Sequence, residues 1–265
     1  MTTSTGLRAY DALLFDLDGT THLVCCPPRR DRSEGEVHPM TTSTGLRAYD
    51  ALLFDLDGTL VDSGAAIERA WRGWSDRHGL DAERVLETSV GRRGVETVAL
   101  VAPHLDSVRE AGNLEAGQAR DTGGVVPTPG AGTVLAAAAG GPWAVVTSGT
   151  RPVALARLRA AGLPVPTVLV TADDVTAGKP DPQGYLLAAR RLGVEAGRCV
   201  VFEDTWPGVL AGQRAGMAVV GIAGAGLGAT VTPDLVVDRL SRLDVRWSSG
   251  TVSVTLRPAG DRGDT

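Results

Sequence analysis

The sequence predicts an α/β protein: a doubly wound, parallel, Rossmann-like sheet carrying a small α-helical domain inserted after one of its strands. Three observations predict it. Short apolar runs alternate with helical stretches along most of the chain, which is the pattern of repeated βα units. Several of those runs end in carboxylate or hydroxyl residues, at the strand ends where open parallel sheets bind ligands. One long stretch, Ser63 to Asp121, has helical periodicity and no strand-like run.

The central strand is Ala51-Leu-Leu-Phe54, four apolar residues in a row bounded by a turn signal, which suits burial on both faces. Asp55 and Asp57 follow it, and period-2 alternation puts both carboxylates on one side of its C-terminal end. Two carboxylates together are costly unless a cation or a proton separates them. Alone, Asp57-Gly58 reads as a turn.

From Asp62 the chain turns helical. Ile67, Trp71, Trp74 and His78 form one stripe, and Gly79 stops the helix. Asp81 is placed to cap a second helix, Val95, Val98 and Ala99 fit a third before Pro103, and Ser107 with Glu110 has the capping-box pattern of a fourth. Pro127, Pro129 and Gly130 mark the return to the sheet. Strand Ala144–Val146 then leads to a helix opened by Thr150-Arg-Pro152 and ended by Gly162. Thr167–Thr171 reads as a strand, Pro182–Leu192 as a helix ended by Gly193, and Cys199–Phe202 as a strand. Pro207–Ala215 reads as a helix ended by Gly216, and Ala218–Ile222 as the last strand. The chain from about Ser248 is too polar and Gly-rich to assign.

The domain reading is therefore 40–61 with 127–247 as the α/β core, 62–126 as the helical insertion and 248–265 as a tail. Residues 1–39 stand apart. Met1–Thr20 recurs letter for letter as Met40–Thr59, joined by a polar, Pro-rich segment. A single perfect repeat is not a solenoid, so it reads as a duplicated or artefactual extension, expected to be disordered. Seating the first copy in the sheet would close a long loop without a new contact. Asp55 and Asp57 are thus expected to be functional, and Asp16 and Asp18 not.

Composition excludes several classes. The 265 residues are 43% hydrophobic and 22% charged, which is ordinary for a globular chain. A net charge of −5 and a pI near 5.4 argue against a nucleic-acid surface. No apolar run is long enough to span a membrane, and no signal peptide is legible. Cys25, Cys26 and Cys199 form neither a disulfide framework nor a metal spacing, which suits the cytoplasm.

Four segments carry the chemistry: Asp55-Leu-Asp57-Gly58-Thr59, Thr147-Ser148, Gly178-Lys179-Pro-Asp-Pro182, and Phe202-Glu203-Asp204-Thr-Trp-Pro-Gly208. Each alone has a bland reading as a loop, cap or strand end. In this order, at successive strand ends, they resemble the motifs of the haloacid dehalogenase superfamily, over nearly all of Ala51 to Ile222. The resemblance implies an Mg²⁺-dependent phosphatase in which Asp55 is the nucleophile and forms an aspartyl-phosphate. It implies that Asp57 is the acid/base, and that Asp55, the carbonyl of Asp57, Asp204 and Glu203 (directly or through water) hold Mg²⁺. Thr147, with the backbone of Ser148 and Gly149, would bind the phosphoryl oxygens, and Lys179 would pair with both the phosphate and Asp55.

An acid at Asp57 favours phosphoryl transfer over dehalogenation, because a halide leaves without a proton. Ser63 to Val126 contains no lysine, which excludes the phosphonate-cleaving members with their cap Schiff base. The helical insertion resembles the cap of small sugar- and polyol-phosphate phosphatases, and Gly91-Arg92-Arg93-Gly94-Val-Glu-Thr97 resembles their cap segment, so Arg92 or Arg93 is expected at the substrate. The alternatives are a β-phosphoglucomutase-like sugar phosphomutase and a catalytically silent binding domain; intact Asp55, Asp57, Lys179 and Asp204 argue against the second. The expected partner is a small phosphate ester, with no nucleic acid or membrane, and the chain is expected to be a monomer or weak homo-oligomer.

Overall fold

A computed structural model describes residues 45–224, 226–227 and 231–257. The expectations for 1–39, including those for Asp16 and Asp18, lie outside the described residues. In chain order the elements begin with β1 (Gly45–Tyr49), β2 (Ala51–Phe54) and β3 (Val61–Asp62). Four helices follow: α1 (Gly64–His78), α2 (Ala82–Ser89), α3 (Gly94–Val101) and α4 (Ser107–Arg120). The chain continues through β4 (Val126–Pro127), α5 (Ala131–Ala138), β5 (Trp143–Val146), α6 (Arg151–Ala160), β6 (Val168–Val170) and α7 (Gln183–Leu192). It ends with β7 (Cys199–Glu203), α8 (Trp206–Arg214), β8 (Ala218–Ile222), β9 (Leu235–Val237), β10 (Leu243–Ser248) and β11 (Thr251–Leu256).

The main sheet has the order β6-β5-β2-β7-β8-β9, and every neighbouring pair is parallel. All four residues of β2 are buried, because the strand is covered on both faces. Leu52 and Phe54 face one side with Val134 and Leu135 of α5 and Ala154 and Leu158 of α6. Ala51 and Leu53 face the other with Tyr185 and Ala188 of α7 and Val209 and Ala211 of α8. Phe54 stacks on its register partner Phe202 with ring centroids 4.5 Å apart, fixing β2 against β7 where both strands end at the site.

Helices α1–α4 enclose their own apolar cluster of Trp71, Trp74, Val85, Val98 and Leu114. Trp71 and Trp74 meet edge-to-face at 5.6 Å, as the stripe on α1 predicts. Gly79 closes α1 in the left-handed conformation, and the Asp81 carboxylate caps α2 by accepting from the N–H groups of Glu83 and Arg84. The chain enters and leaves this bundle through β3 and β4, which pair with each other.

Three expectations change. The cap of α4 is Asp106, whose carboxylate accepts from the Arg109 N–H at 3.1 Å, and not Ser107. Glu110 is drawn instead to two ring nitrogens, Trp74 Nε1 at 3.3 Å and His78 Nε2 at 3.0 Å. Helix α5 and strand β9 were not legible in the sequence. The segment from Ser248 is not shapeless: β11 forms a hairpin with β10 and also pairs with β1. This small sheet buries Val245, Val252 and Val254 against the α5 side of the main core.

Candidate active site

The site lies at the C-terminal ends of β2, β5 and β7. Asp55 is the first residue past β2, and its N–H donates to the carbonyl of Phe202. Backbone bonds from Leu60 and Val61 N–H to the Leu56 carbonyl, and from Gly58 N–H to the Val61 carbonyl, fold the next residues into a compact turn. Gly58 has φ +91°, and a Cβ there would stand 2.0 Å from an Asp204 oxygen, so only glycine lets the two segments meet.

Lys179 is buried beneath this turn and donates through Nζ to Asp55 Oδ1 and Glu203 Oε1. Its ammonium also lies 5.4 Å from the centre of the Tyr185 ring. Tyr185 donates its hydroxyl to Glu203 Oε1 at 2.8 Å. Glu203 Oε2 accepts from the N–H groups of Asp204 and Thr205 and from Thr205 Oγ1. Five donors thus occupy the lone pairs of Glu203, and the carboxylate serves to hold Lys179 and the start of α8. Asp204 is left with Thr59 Oγ1, 3.2 Å away.

Asp55, Glu203 and Asp204 each bring a carboxylate oxygen within 4.8 Å of the others, and they share one ammonium. Burial raises the Asp55 carboxyl well above its ordinary value, Lys179 working against the rise and Glu203, Asp204 and Asp57 adding to it. Burial and then Glu203 push Asp204 up to about 7. Burial acts to lower the Lys179 value, but Asp55 and Glu203 outweigh it and raise the ammonium above its ordinary range. Burial, then Glu203, likewise raises Tyr185. Acids raised in this way mark a deficit of positive charge. All the donors are hard oxygens, and Asp55 and Asp204 retain free lone pairs, so the residues fit a small divalent cation.

Asp57 shares the cavity with Asp55 but has different partners. Ser63 Oγ donates to its Oδ1 at 2.6 Å, and Arg157 Nη1 lies 2.6 Å from its Oδ2. Period-2 alternation does not extend to it, because β2 ends at Phe54 and the backbone turns.

A cavity of about 720 Å³ opens over these groups, between the sheet and the bundle. Asp55, Asp57, Asp204, Thr147, Ser148, Gly149 and Arg92 line it; Lys179 and Glu203 lie beneath. Arg93 is not brought to it. Its guanidinium pairs with Glu96 at 2.6 Å and donates to the carbonyls of Val175 at 2.8 Å and Thr176 at 2.7 Å. Two carbonyls and a carboxylate occupy the guanidinium fork, and the arginine ties the bundle to the lysine loop.

Sequence reasoning missed Ser63, Arg157 and Tyr185. For Arg157 a signal existed: it sits on the buried stripe of α6 with Val153, Ala154 and Leu158, where a charge requires a partner. For Tyr185 there was none, since a tyrosine on a buried helix face is ordinary.

The family model for haloacid dehalogenase-like hydrolases matches residues 49–216. The chain belongs to that family. Among haloacid dehalogenase-like proteins, it is similar to hexitol phosphatase A of Escherichia coli, 43% identical over 209 residues that cover 77% of this chain and 93% of that one. It is similar to glycerol-1-phosphate phosphohydrolase 2 of Saccharomyces cerevisiae, 36% identical over 62% of this chain and 71% of that protein. Among solved structures, a hydrolase from Pseudomonas syringae superposes with a TM-score of 0.65 at 26% identity, covering 73% of this chain and 94% of that one. Among the described residues, no helix is long and apolar enough to cross a membrane.

Proposed function

We propose that this haloacid dehalogenase-like hydrolase is a Mg²⁺-dependent phosphatase acting on a small sugar or polyol phosphate. The observation that carries the reading is Asp55: a buried carboxylate at the end of the central strand, held by Lys179 and set beside Asp204, with a second acid, Asp57, in the same cavity.

In the first step an Asp55 oxygen attacks phosphorus. The P–O bond to the substrate alcohol breaks, and Asp57 delivers a proton to the departing oxygen. In the second step Asp57 takes a proton from water, whose oxygen attacks the aspartyl-phosphate. The P–O bond to Asp55 breaks, and inorganic phosphate leaves. Thr147 and the N–H of Ser148 serve the phosphoryl oxygens, and the Gly149 N–H, which donates to Thr147 Oγ1 at 3.1 Å, orients that hydroxyl and can turn to the same oxygens. Lys179 orients Asp55 and offsets negative charge. The Asp55 and Asp204 side chains and the Asp57 carbonyl would hold Mg²⁺, which when bound would supply further positive charge to offset that of the phosphoryl group.

In this reading 62–126 is a cap over a core of 45–61 and 127–257, which takes in β11, with Arg92 as the cap arginine at the substrate. The similarity to hexitol and glycerol phosphate phosphatases supports a polyol-type substrate. We assign the enzyme to the cytoplasm, on its cysteine usage, as a monomer or weak homo-oligomer.

The test is phosphate release with Mg²⁺ across a panel of sugar, polyol and nucleotide monophosphates. Release from one or a few polyol phosphates, abolished in Asp55→Asn, is the expected result. Isomerisation of a sugar phosphate without net release would replace the phosphatase by a mutase, and inactivity toward the whole panel would reject both.

A further inference from the structure

Above the carboxylates, the cavity has a polar wall that the hydrolytic steps do not use. Glu115 and Gln118 stand three residues apart on α4, so one helix face carries both to the cavity. Behind them is Arg157, with only 3% of its surface exposed. It pairs with Asp57 through Nη1 and donates Nη2 to Gln118 Oε1 at 3.3 Å. That contact fixes the Gln118 carbonyl toward the arginine and leaves its amide N–H groups without an acceptor among the described residues. Around this wall Ile67, Trp71, Leu86 and Leu114 contribute apolar surface, interspersed with the charged side chains of Glu68, Arg72, Glu83 and Glu87.

Glu115 is the unexplained group. It makes no hydrogen bond among the described residues, although it is largely withdrawn from solvent. Its Oε1 is pressed against the start of α3, where a Cβ on Gly94 would lie 2.7 Å away. Burial, then Asp173, pushes its carboxyl up to about 7, with Arg157 and Arg93 pulling the other way. A half-buried carboxylate with no donor is costly to keep unless a ligand brings one. In its ionised form the carboxylate repels a phosphoryl group. The complement to Glu115 is a neutral group rich in O–H donors, and the complement to the free Gln118 N–H is a hydroxyl oxygen.

We propose that Glu115 and Gln118 read the hydroxylated, unphosphorylated part of the substrate, Glu115 accepting from its hydroxyls and Gln118 donating to one. This rests on the phosphatase reading and deepens it: the wall selects polyhydroxylated monophosphates over esters of equal size without hydroxyls. A site built to pair with hydroxyls rejects analogues that lack them, because its own polar groups are then left unpaired.

The test compares wild type, Glu115→Ala and Gln118→Ala on a hexitol monophosphate and on phenyl phosphate, with Mg²⁺ present. The quantity read is the ratio of the two kcat/KM values. It is expected to fall roughly tenfold to a hundredfold in Glu115→Ala and about tenfold in Gln118→Ala, mainly through KM for the hexitol ester. An unchanged ratio in both variants would overturn the proposal. Should Glu115→Ala hydrolyse neither ester, Glu115→Leu, which fills the space but offers no acceptor, carries the same comparison with the same two outcomes. Wild-type enzyme inactive toward the whole panel of sugar, polyol and nucleotide monophosphates refutes the phosphatase reading itself, so the two failures are distinguishable.

Discussion

The acidic cluster makes stability depend on a cation in a way that can be worked out from Asp204. Burial and Glu203 raise its carboxyl from 3.8 to about 7 in the folded chain, while Lys179 and Thr59 pull it down. The folded chain therefore binds more protons than the unfolded chain between those two values, and stability falls as pH rises through that window. Below pH 4 the penalty is absent, and above pH 7 it is complete. Its size, about three pKa units, is on the order of 4 kcal/mol, and Asp55 adds to it in the same direction. A divalent cation bound to the ionised acids offsets this cost. Each kcal/mol is about 2–4 °C of Tm for a domain of this size. We therefore predict that Mg²⁺ raises Tm by several degrees at pH 8 and by little at pH 5, and that a chelator reverses the gain. Asp204→Asn removes the charge and keeps an acceptor for Thr59. Without metal at pH 8 it should melt above metal-free wild type, and it should not respond to Mg²⁺. Thermal melting at the two pH values, with and without Mg²⁺, measures both. A metal-free Asp204→Asn less stable than wild type at pH 8, or an Mg²⁺ gain equal at both pH values, refutes the reasoning.

Asp57→Asn should lower kcat on alkyl phosphates roughly a hundredfold to ten-thousandfold, and much less on p-nitrophenyl phosphate, whose leaving group needs no proton. Equal losses on both would remove Asp57 from the acid role. Gly208→Ala reverses an ordinary sign: alanine usually stabilises a helix by about 1 kcal/mol, but here its Cβ would meet a Glu203 oxygen at 1.7 Å. A loss of about 2 kcal/mol in urea unfolding is expected, and a raised midpoint would contradict the packing. Arg157→Met leaves Asp57 without its cation and should cost roughly 3 kcal/mol in the same assay, with a loss below 1 kcal/mol counting against the pair.

The sheet was legible because its strands are short apolar runs with polar ends, and a doubly buried strand such as β2 needs only that pattern. Helix α5, Ala131–Ala138, was not, because a run of small residues shows no contrast between faces. The β10–β11 hairpin escaped because Ser248, Ser249 and Gly250, with the polar and Gly-rich residues after β11, read as loop. Yet Leu243, Val245, Val252 and Val254 all point inward, and Ser249 and Gly250 at φ 51° and 80° form the two-residue turn that such a strand pair favours. In the candidate site, Asp55, Lys179, Glu203 and Asp204 are legible because each sits in a local run with a recognisable order. Arg157 and Tyr185 act on partners far away in sequence, and only the fold brings them there. Arg93 shows the opposite limit: its motif was legible, but whether an arginine faces a cavity or clamps a loop depends on carbonyls at Val175 and Thr176 that no local pattern reveals.

Those contacts bear on how the helical bundle and the chemistry relate. Ser148, after β5, donates to the Gly91 carbonyl at 2.8 Å. The loop that carries Lys179 donates the Gly178 N–H to Glu96 at 2.9 Å and accepts from Arg93. Asp57, after β2, reaches the bundle through Arg157 and Gln118. Three segments of the site, each leaving a different strand, are thus bonded to three parts of the bundle. The seating of the bundle and the placement of Lys179, Ser148 and Asp57 are therefore linked through direct contacts.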